Sequence, residues 1–164
     1  MDAPHSPTSA GPPQPVDDNR GAEAAPATEP PATAPALDRC WTEVRRFHEV
    51  FNHPIGARPT LLTPERVDKR SGWMLEELRE FQDAADVTDQ ADAMIDLIYF
   101  ALGTLVEMGV RPDALFDIVQ AANMSKLWED GRPRYDATGK VIKPHSFRAP
   151  EPLLRAAIAR MEAE

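Results

Sequence analysis

Five carboxylates carry the chemical signal of this sequence. Three of them, Glu76, Glu77 and Glu80, fall in the run Glu76-Glu77-Leu78-Arg79-Glu80, and Asp92 and Asp96 follow shortly after. At about 100° per residue on a helix, Glu76 and Glu80 share a face and Glu77 lies beside them. Like charges at that spacing repel by about 0.2–0.5 kcal/mol per pair, and a solvated face accounts for this set taken alone. Asp92 and Asp96 are harder to account for that way. They are i,i+4 partners in the most apolar stretch of the chain, among Ile95, Leu97, Ile98, Leu102, Leu105 and Val106, and that stretch holds no lysine or arginine. Tyr99 and Gly103 fall on their stripe. A carboxylate on a helix that must be buried is costly unless it is paired or bound to a cation. Asp92 fits the wet, dipole-favoured N-terminal end of such a helix. Asp96 lies too far in for that, and the pattern predicts a functional role for it.

Two antiparallel helices joined by a short break would bring both acid sets face to face. The resulting all-oxygen cluster selects a hard cation, Mg²⁺ or Mn²⁺. Zinc would need Cys and His ligands. A di-iron bundle would need Glu-x-x-His pairs, and none of His5, His48, His53 and His145 follows a Glu at that spacing. Cys40 is the lone cysteine and has no evident catalytic partner, and neither a G-x-S-x-G nor a glycine-rich phosphate loop occurs.

The elements that must position these acids read as helices. Cys40, Val44, Phe47 and Phe51 recur at three- and four-residue spacing and predict a helix from 37 to about 52. Pro54, Gly56 and Pro59 mark a loop. Thr63-Pro64-Glu65 is a helix start, with threonine capping and proline first, so a second helix runs from 64 to about 85. On it, Leu75, Leu78 and Phe81 are expected to face a core. A polar break at 86–89 leads to a third helix, 90 to about 108, apolar nearly all round and therefore buried by its own chain or by a partner subunit. Gly109 is placed to cap it. Pro112 opens a fourth helix ending near 126. Residues 134–142 suggest a small hairpin or extended pair, and a short helix follows from 150 or 151 to 161. The expected fold is an all-α antiparallel bundle over 38–164 with a small C-terminal hairpin.

The remaining composition is uneven. The chain has 164 residues, 17 prolines, one cysteine and a net charge of −9. About half of the prolines precede Leu37, in a segment with no aromatic residue and almost no aliphatic one beyond alanine. Such a segment cannot bury enough apolar area to offset its ordering entropy, so residues 1–37 are expected to be a disordered, mildly acidic tail. It has neither the apolar run of a secretory signal nor the arginine richness of a transit peptide. No apolar run is long enough for a membrane span, and the acidic balance argues against nucleic-acid polymers and anionic membranes as partners. The lone cysteine and the lack of an export signal point to the cytoplasm.

At this point the sequence resembles a family. The EExxE run, then Asp96-Leu97-Ile98-Tyr99 with Gly103, then Ala122-Asn123-Met124-Ser125-Lys126, is similar in order and spacing to the all-α nucleoside triphosphate pyrophosphohydrolases, the MazG-like and phosphoribosyl-ATP pyrophosphohydrolase-like enzymes. The likeness covers about 66–143. It implies that Glu77, Glu80 and Asp96 bind Mg²⁺, with Asp92 joining them, and that Glu76 is a further ligand or orients the attacking water. The family's second acid motif is Glu-x-x-Asp, which would place a Glu at Ala93, whereas here the extra acid is Asp92. The implied reaction is attack of water on the α-phosphorus of a nucleotide, giving the monophosphate and pyrophosphate. Lys126 would then hold a phosphate and Asn123 would hydrogen-bond phosphate, sugar or base. Lys69, on the face of Glu76, and Lys140, with Lys143 on the hairpin, are further phosphate candidates. Trp73 and Trp128 are expected to pack in a core or between subunits. The resemblance and the apolar third helix both imply a homodimer or homotetramer. Two other classes remain: a catalytically inactive bundle that binds nucleotide or protein, and an adaptor that docks a partner through its proline-rich tail.

Overall fold

A computed structural model describes residues 36–163. The tail expected over 1–37 lies outside the described residues, except for Ala36 and Leu37, which begin the first helix. Five helices follow in order: α1 (Ala36–Val50), α2 (Pro64–Asp83), α3 (Val87–Met108), α4 (Asp113–Met124) and α5 (Glu151–Glu162). Among the described residues there is no strand, and the expected hairpin reduces to a single antiparallel bridge between Tyr135 and Val141. The fold is all-α.

Local chemistry fixes the helix ends. The Thr63 side chain accepts from Arg66 N and Pro64 takes the first turn of α2, where it loses no needed hydrogen bond. Asp86 caps α3, its Oδ1 accepting from Thr88 N at 2.7 Å and Asp89 N at 3.0 Å. The helix thus starts three residues earlier than the apolar pattern predicts, because the polar residues assigned to the break form its first turn. Only residues 84–86 separate α2 from α3, which forces the two helices antiparallel. At the other end of α3, Gly109 adopts φ 67°, a left-handed conformation that side chains resist, and its N–H closes on the Leu105 and Val106 carbonyls.

The α2/α3 pair is the main packing unit, and α1 crosses α3 on its other side. A small core of Trp41, Val44, Leu102 and Val106 lies between α1 and α3, with Ile55 and Leu105 packed against it. The loop after α1 is laced to the end of α3 by Gly56 N to Val106 O and Thr60 N to Met108 O, both 2.9 Å. Asp113 N donates to Asp38 Oδ1 at 3.0 Å and Leu37 N donates to Asp113 Oδ1 at 3.2 Å, pinning α4 to the start of α1. Behind α4, α5 packs through Ala157.

One expectation about packing does not hold. Leu75, Leu78 and Phe81 are exposed, because the face that α2 turns inward carries Arg70 and Glu77 instead. One copy of the chain covers α3 only in part, leaving Ile95 and Ile98 more than half exposed and Tyr99 also open. Among the described residues, no single helix is long and apolar enough to cross a membrane.

Candidate active site

The register of α2 against α3 can be followed from paired side chains. Arg66 meets Glu107, Arg70 meets Thr104, and Trp73 stacks on Phe100 with ring centroids 5.8 Å apart. Continuing that antiparallel register up the pair sets Glu77 opposite Asp96 and Glu80 opposite Ala93. The electrostatics of Glu77 agree. Its carboxyl is pushed above the ordinary glutamate range, first by burial and then by the charges of Glu80, Asp96, Glu76 and Asp92, in that order. The five acids singled out in the sequence therefore converge on one place.

Glu77 is the inner member of the set. It is 8% exposed and its Oε2 is buried with no hydrogen-bond partner, a costly arrangement for a polar atom. Glu76, Glu80, Asp92 and Asp96 are exposed. The burial argument made for Asp96 is thus corrected. By helix angle Asp96 lies on the stripe of Gly103 and Glu107, both buried, but it sits where the groove between the helices opens. Among the described residues, no three of these acids stand close enough together to hold a metal ion as they are. Ala93, where the resemblance expects a glutamate, is 2% exposed and faces inward as a small packing residue.

Below the acids lies a second charged group that the sequence reading missed. Glu107 is buried and accepts from Arg66 through both oxygens, with Arg66 Nε at 3.0 Å from Oε2. Arg70 Nη1 lies 3.3 Å from the same carboxylate. Arg70 also donates to Thr104 Oγ1 at 2.9 Å and to the Phe100 carbonyl, and burial lowers its pKa while Glu107 raises it. Beside it, His48 is 3% exposed, its Nδ1 lies 2.8 Å from the Pro54 carbonyl, and burial holds its pKa below the ordinary value. Gly103 makes room for both: a Cβ there would stand 2.5 Å from Arg70 Nη2 and 2.9 Å from His48 Nε2. The signal was present in the sequence. Glu107 is an acid in the same apolar run as Asp96, and the argument made for Asp96 applies to it.

Between the two charged groups, α1, α2 and α3 enclose a cavity of about 170 Å³ lined by Phe47, His48, Arg70, Trp73, Phe100 and Gly103 among others. Trp73 is half-buried here, as a wall of the cavity. Arg66, Lys69 and Arg70 lie over its ring at 5.7, 5.5 and 5.2 Å. Lys69, a candidate phosphate ligand, therefore has its ammonium at the rim of that ring.

The other candidates lie elsewhere. Asn123 and Lys126 are at the end of α4 and are joined by a bond from Lys126 Nζ to Asn123 Oδ1 of 2.8 Å. Lys140 closes the turn of the C-terminal bridge through its backbone N–H, which donates to Asp136 Oδ1 at 3.0 Å. Hydrogen bonds from Thr138 and Lys140 lower the Asp136 pKa. Trp128 is partly buried, and its Nε1 donates to the Ile142 carbonyl at 3.3 Å. Its ring carries the Arg134 guanidinium at 4.0 Å.

The chain is similar to known proteins. The model of the phosphoribosyl-ATP pyrophosphohydrolase family matches residues 44–123, a span that includes all five acids and ends at Asn123. A crystal structure from Exiguobacterium sp. 255-15, provisionally named an NTP pyrophosphohydrolase, is 31% identical, with the match covering 74% of this chain and 94% of that one. Its superposition has a TM-score of 0.43, so the kinship rests on sequence. No curated protein matches the chain.

Proposed function

The chain belongs to the phosphoribosyl-ATP pyrophosphohydrolase family of all-α pyrophosphohydrolases, and from that premise we propose that it hydrolyses a nucleoside or deoxynucleoside triphosphate, or a related nucleotide, between the α and β phosphates. The observation that carries this reading is Glu77, buried with an unpartnered oxygen and ringed by four more acids. A buried, unpaired carboxylate among like charges is stable only as a neutral acid or beside a cation.

The donor set fits Mg²⁺ or Mn²⁺ in kind, because it is all carboxylate oxygen. Glu77, Glu80, Asp92 and Asp96 would hold the ion, which when bound supplies charge neutralisation for the polyphosphate and a more acidic water. The chain's own residues do the rest. Glu76, at the edge of the cluster, orients the attacking water and accepts its proton. Lys69 meets phosphate at the mouth of the aromatic cavity. Trp73 and Phe100 offer flat walls to a base, and Asn123, Lys126 and Lys140 are the remaining groups assigned to substrate. Catalysis of this type is mostly positioning and electrostatics. We place the enzyme in the cytoplasm, as a homodimer or homotetramer with no membrane or nucleic-acid polymer as partner.

A second reading, an inactive nucleotide-binding or protein-interaction bundle, is favoured by one observation, the inward-facing Ala93 in place of a ligand. A panel of nucleotides incubated with Mg²⁺, with pyrophosphate as the readout, separates the two. Release from at least one nucleotide supports the enzyme. No release from any, together with a Mg²⁺-dependent rise in melting temperature on adding nucleotide, supports the inactive binder.

A further inference from the structure

The connection between α4 and α5 carries a cavity that the acid site does not use. Residues 125–150 form neither helix nor strand, yet their backbone is tied at close intervals. Gly131 N donates to the Trp128 carbonyl at 2.8 Å and Ile142 N to the Arg134 carbonyl at 2.7 Å. Arg148 N donates to Ser125 Oγ at 3.1 Å, which anchors the far end to α4. The bond from Trp128 Nε1 to the Ile142 carbonyl fixes the indole against the Tyr135–Val141 bridge. A segment tied in this way presents its side chains to a ligand at little further cost in ordering.

Beside the indole lies a cavity of about 430 Å³, lined by Trp128, Glu129, Asp130, Arg134, Pro144 and His145 among others. That is the size of a small-molecule site. All of its lining residues come from this one segment and none from α2 or α3, which hold the acids. The Arg134 guanidinium stands 4.0 Å from the Trp128 ring centroid and 3.7 Å from the Asp130 carboxylate. Held between ring and acid, it leaves its outer plane for a further aromatic ring.

Charge selects the rest of the ligand. Residues 126–148 hold six lysines and arginines against three acids, in a chain whose net charge is −9. Two of those acids are engaged within the segment. Asp130 faces Arg134 and accepts from Arg132 N at 3.1 Å, and Asp136 accepts from Thr138 N and Lys140 N to close its own turn. The side chains of Arg132 and His145 meet no carboxylate among the described residues. Glu129 is likewise without a partner there and lines the cavity. Free cations beside a stacking surface favour an anion that carries an aromatic ring.

We propose that this cavity is a nucleotide site of its own, separate from the acid cluster and independent of metal. The base layers on Arg134 over Trp128, Glu129 accepts from N–H groups on the base edge, and the phosphate meets His145 and the cations of the adjoining turn.

The test uses the full chain in chelator. Without a divalent cation the five acids of α2 and α3 repel phosphate, so the nucleotide binding that remains reports the C-terminal cavity. Adenosine, guanosine, cytidine and uridine monophosphates and inorganic pyrophosphate are titrated by calorimetry. At least one monophosphate is expected to bind, one per chain and more tightly than pyrophosphate. Arg134 is exposed, so Arg134→Ala keeps the fold and should weaken that binding about 10-fold. Trp73→Ala, in the cavity below the acids, should leave it unchanged. No binding by any monophosphate, pyrophosphate bound as tightly as the nucleotides, or an unaltered affinity in Arg134→Ala overturns the proposal. A photoreactive azido nucleotide on the unmutated chain in chelator gives a second readout. Label on the peptide that contains Trp128 supports the site, and label confined to α2 and α3 overturns it. Neither readout depends on release of pyrophosphate, so both are decided apart from the enzymatic reading.

Discussion

At one end of the α2/α3 pair, Glu107 is 6% exposed and both of its oxygens are held by arginines. At the other end Glu77 is 8% exposed, one oxygen has no partner, and its neighbours are acids. The two helices are the same and the burial is nearly equal. What differs is compensation. The lower cluster satisfies its charges internally, through Thr104, the Phe100 carbonyl and two guanidinium groups, and so acts as a rigid base. The upper cluster is left short of positive charge. The same pair of helices compensates one buried glutamate fully and leaves another unpaired about three turns of register away, and the proposed site rests on that contrast.

Five experiments would break or sharpen that contrast. The largest effect is expected on turnover. Glu80→Gln or Asp96→Asn should lower it by about 10³-fold or more with helical circular dichroism unchanged, and retained turnover in both variants would remove the upper cluster from the chemistry. Next is stability at the lower cluster. Glu107→Ala leaves Arg70 buried without its carboxylate and should cost about 3–5 kcal/mol in chemical denaturation. A loss below about 1 kcal/mol would mean that water reaches the arginine. Gly103→Ala, which drives a methyl group onto Arg70 and His48, should cost about 1–3 kcal/mol.

The smallest effects concern protons. Glu77 has a raised pKa in the folded chain, so the folded state holds a proton that the unfolded state has released, and stability falls as pH rises above the ordinary glutamate value. Glu77→Gln should therefore raise the melting temperature at neutral pH while turnover drops. A lowered melting temperature would show that the carboxylate is compensated after all. His48 works in the opposite sense. Its folded pKa is depressed, so its contribution is complete above about 6.5 and is lost as pH falls below that value. His48→Gln should flatten the thermal stability profile between pH 5 and 6.5, and an unchanged profile would count against the buried imidazole as its source.

Much of the helical architecture was legible in the sequence because caps and breakers act locally. Thr63-Pro64 and Gly109 each set a helix end through two or three hydrogen bonds among near neighbours. Asp92 and Asp96 stood out for a different reason, since acids within an apolar helix violate the ordinary pattern. The inward face of α2 was not legible. Leu75, Leu78 and Phe81 look like a core stripe by hydropathy, yet Arg70 and Glu77 are the buried residues. Periodicity can show that a helix has faces, but a buried arginine depends on partners 30 and more residues away, on α3.

The sequence by itself therefore determined the helices, the short α2/α3 connection and the identity of the acids, because each depends on spacing along one strand of chain. Only the tertiary structure decided which acid is buried, which is neutralised by arginine, and that α4 packs against α1 and α5 rather than against α2 or α3. Those outcomes depend on the register of α2 against α3 and on the angle at which α4 departs. Both are set by contacts between residues far apart in the chain, and no local pattern encodes them.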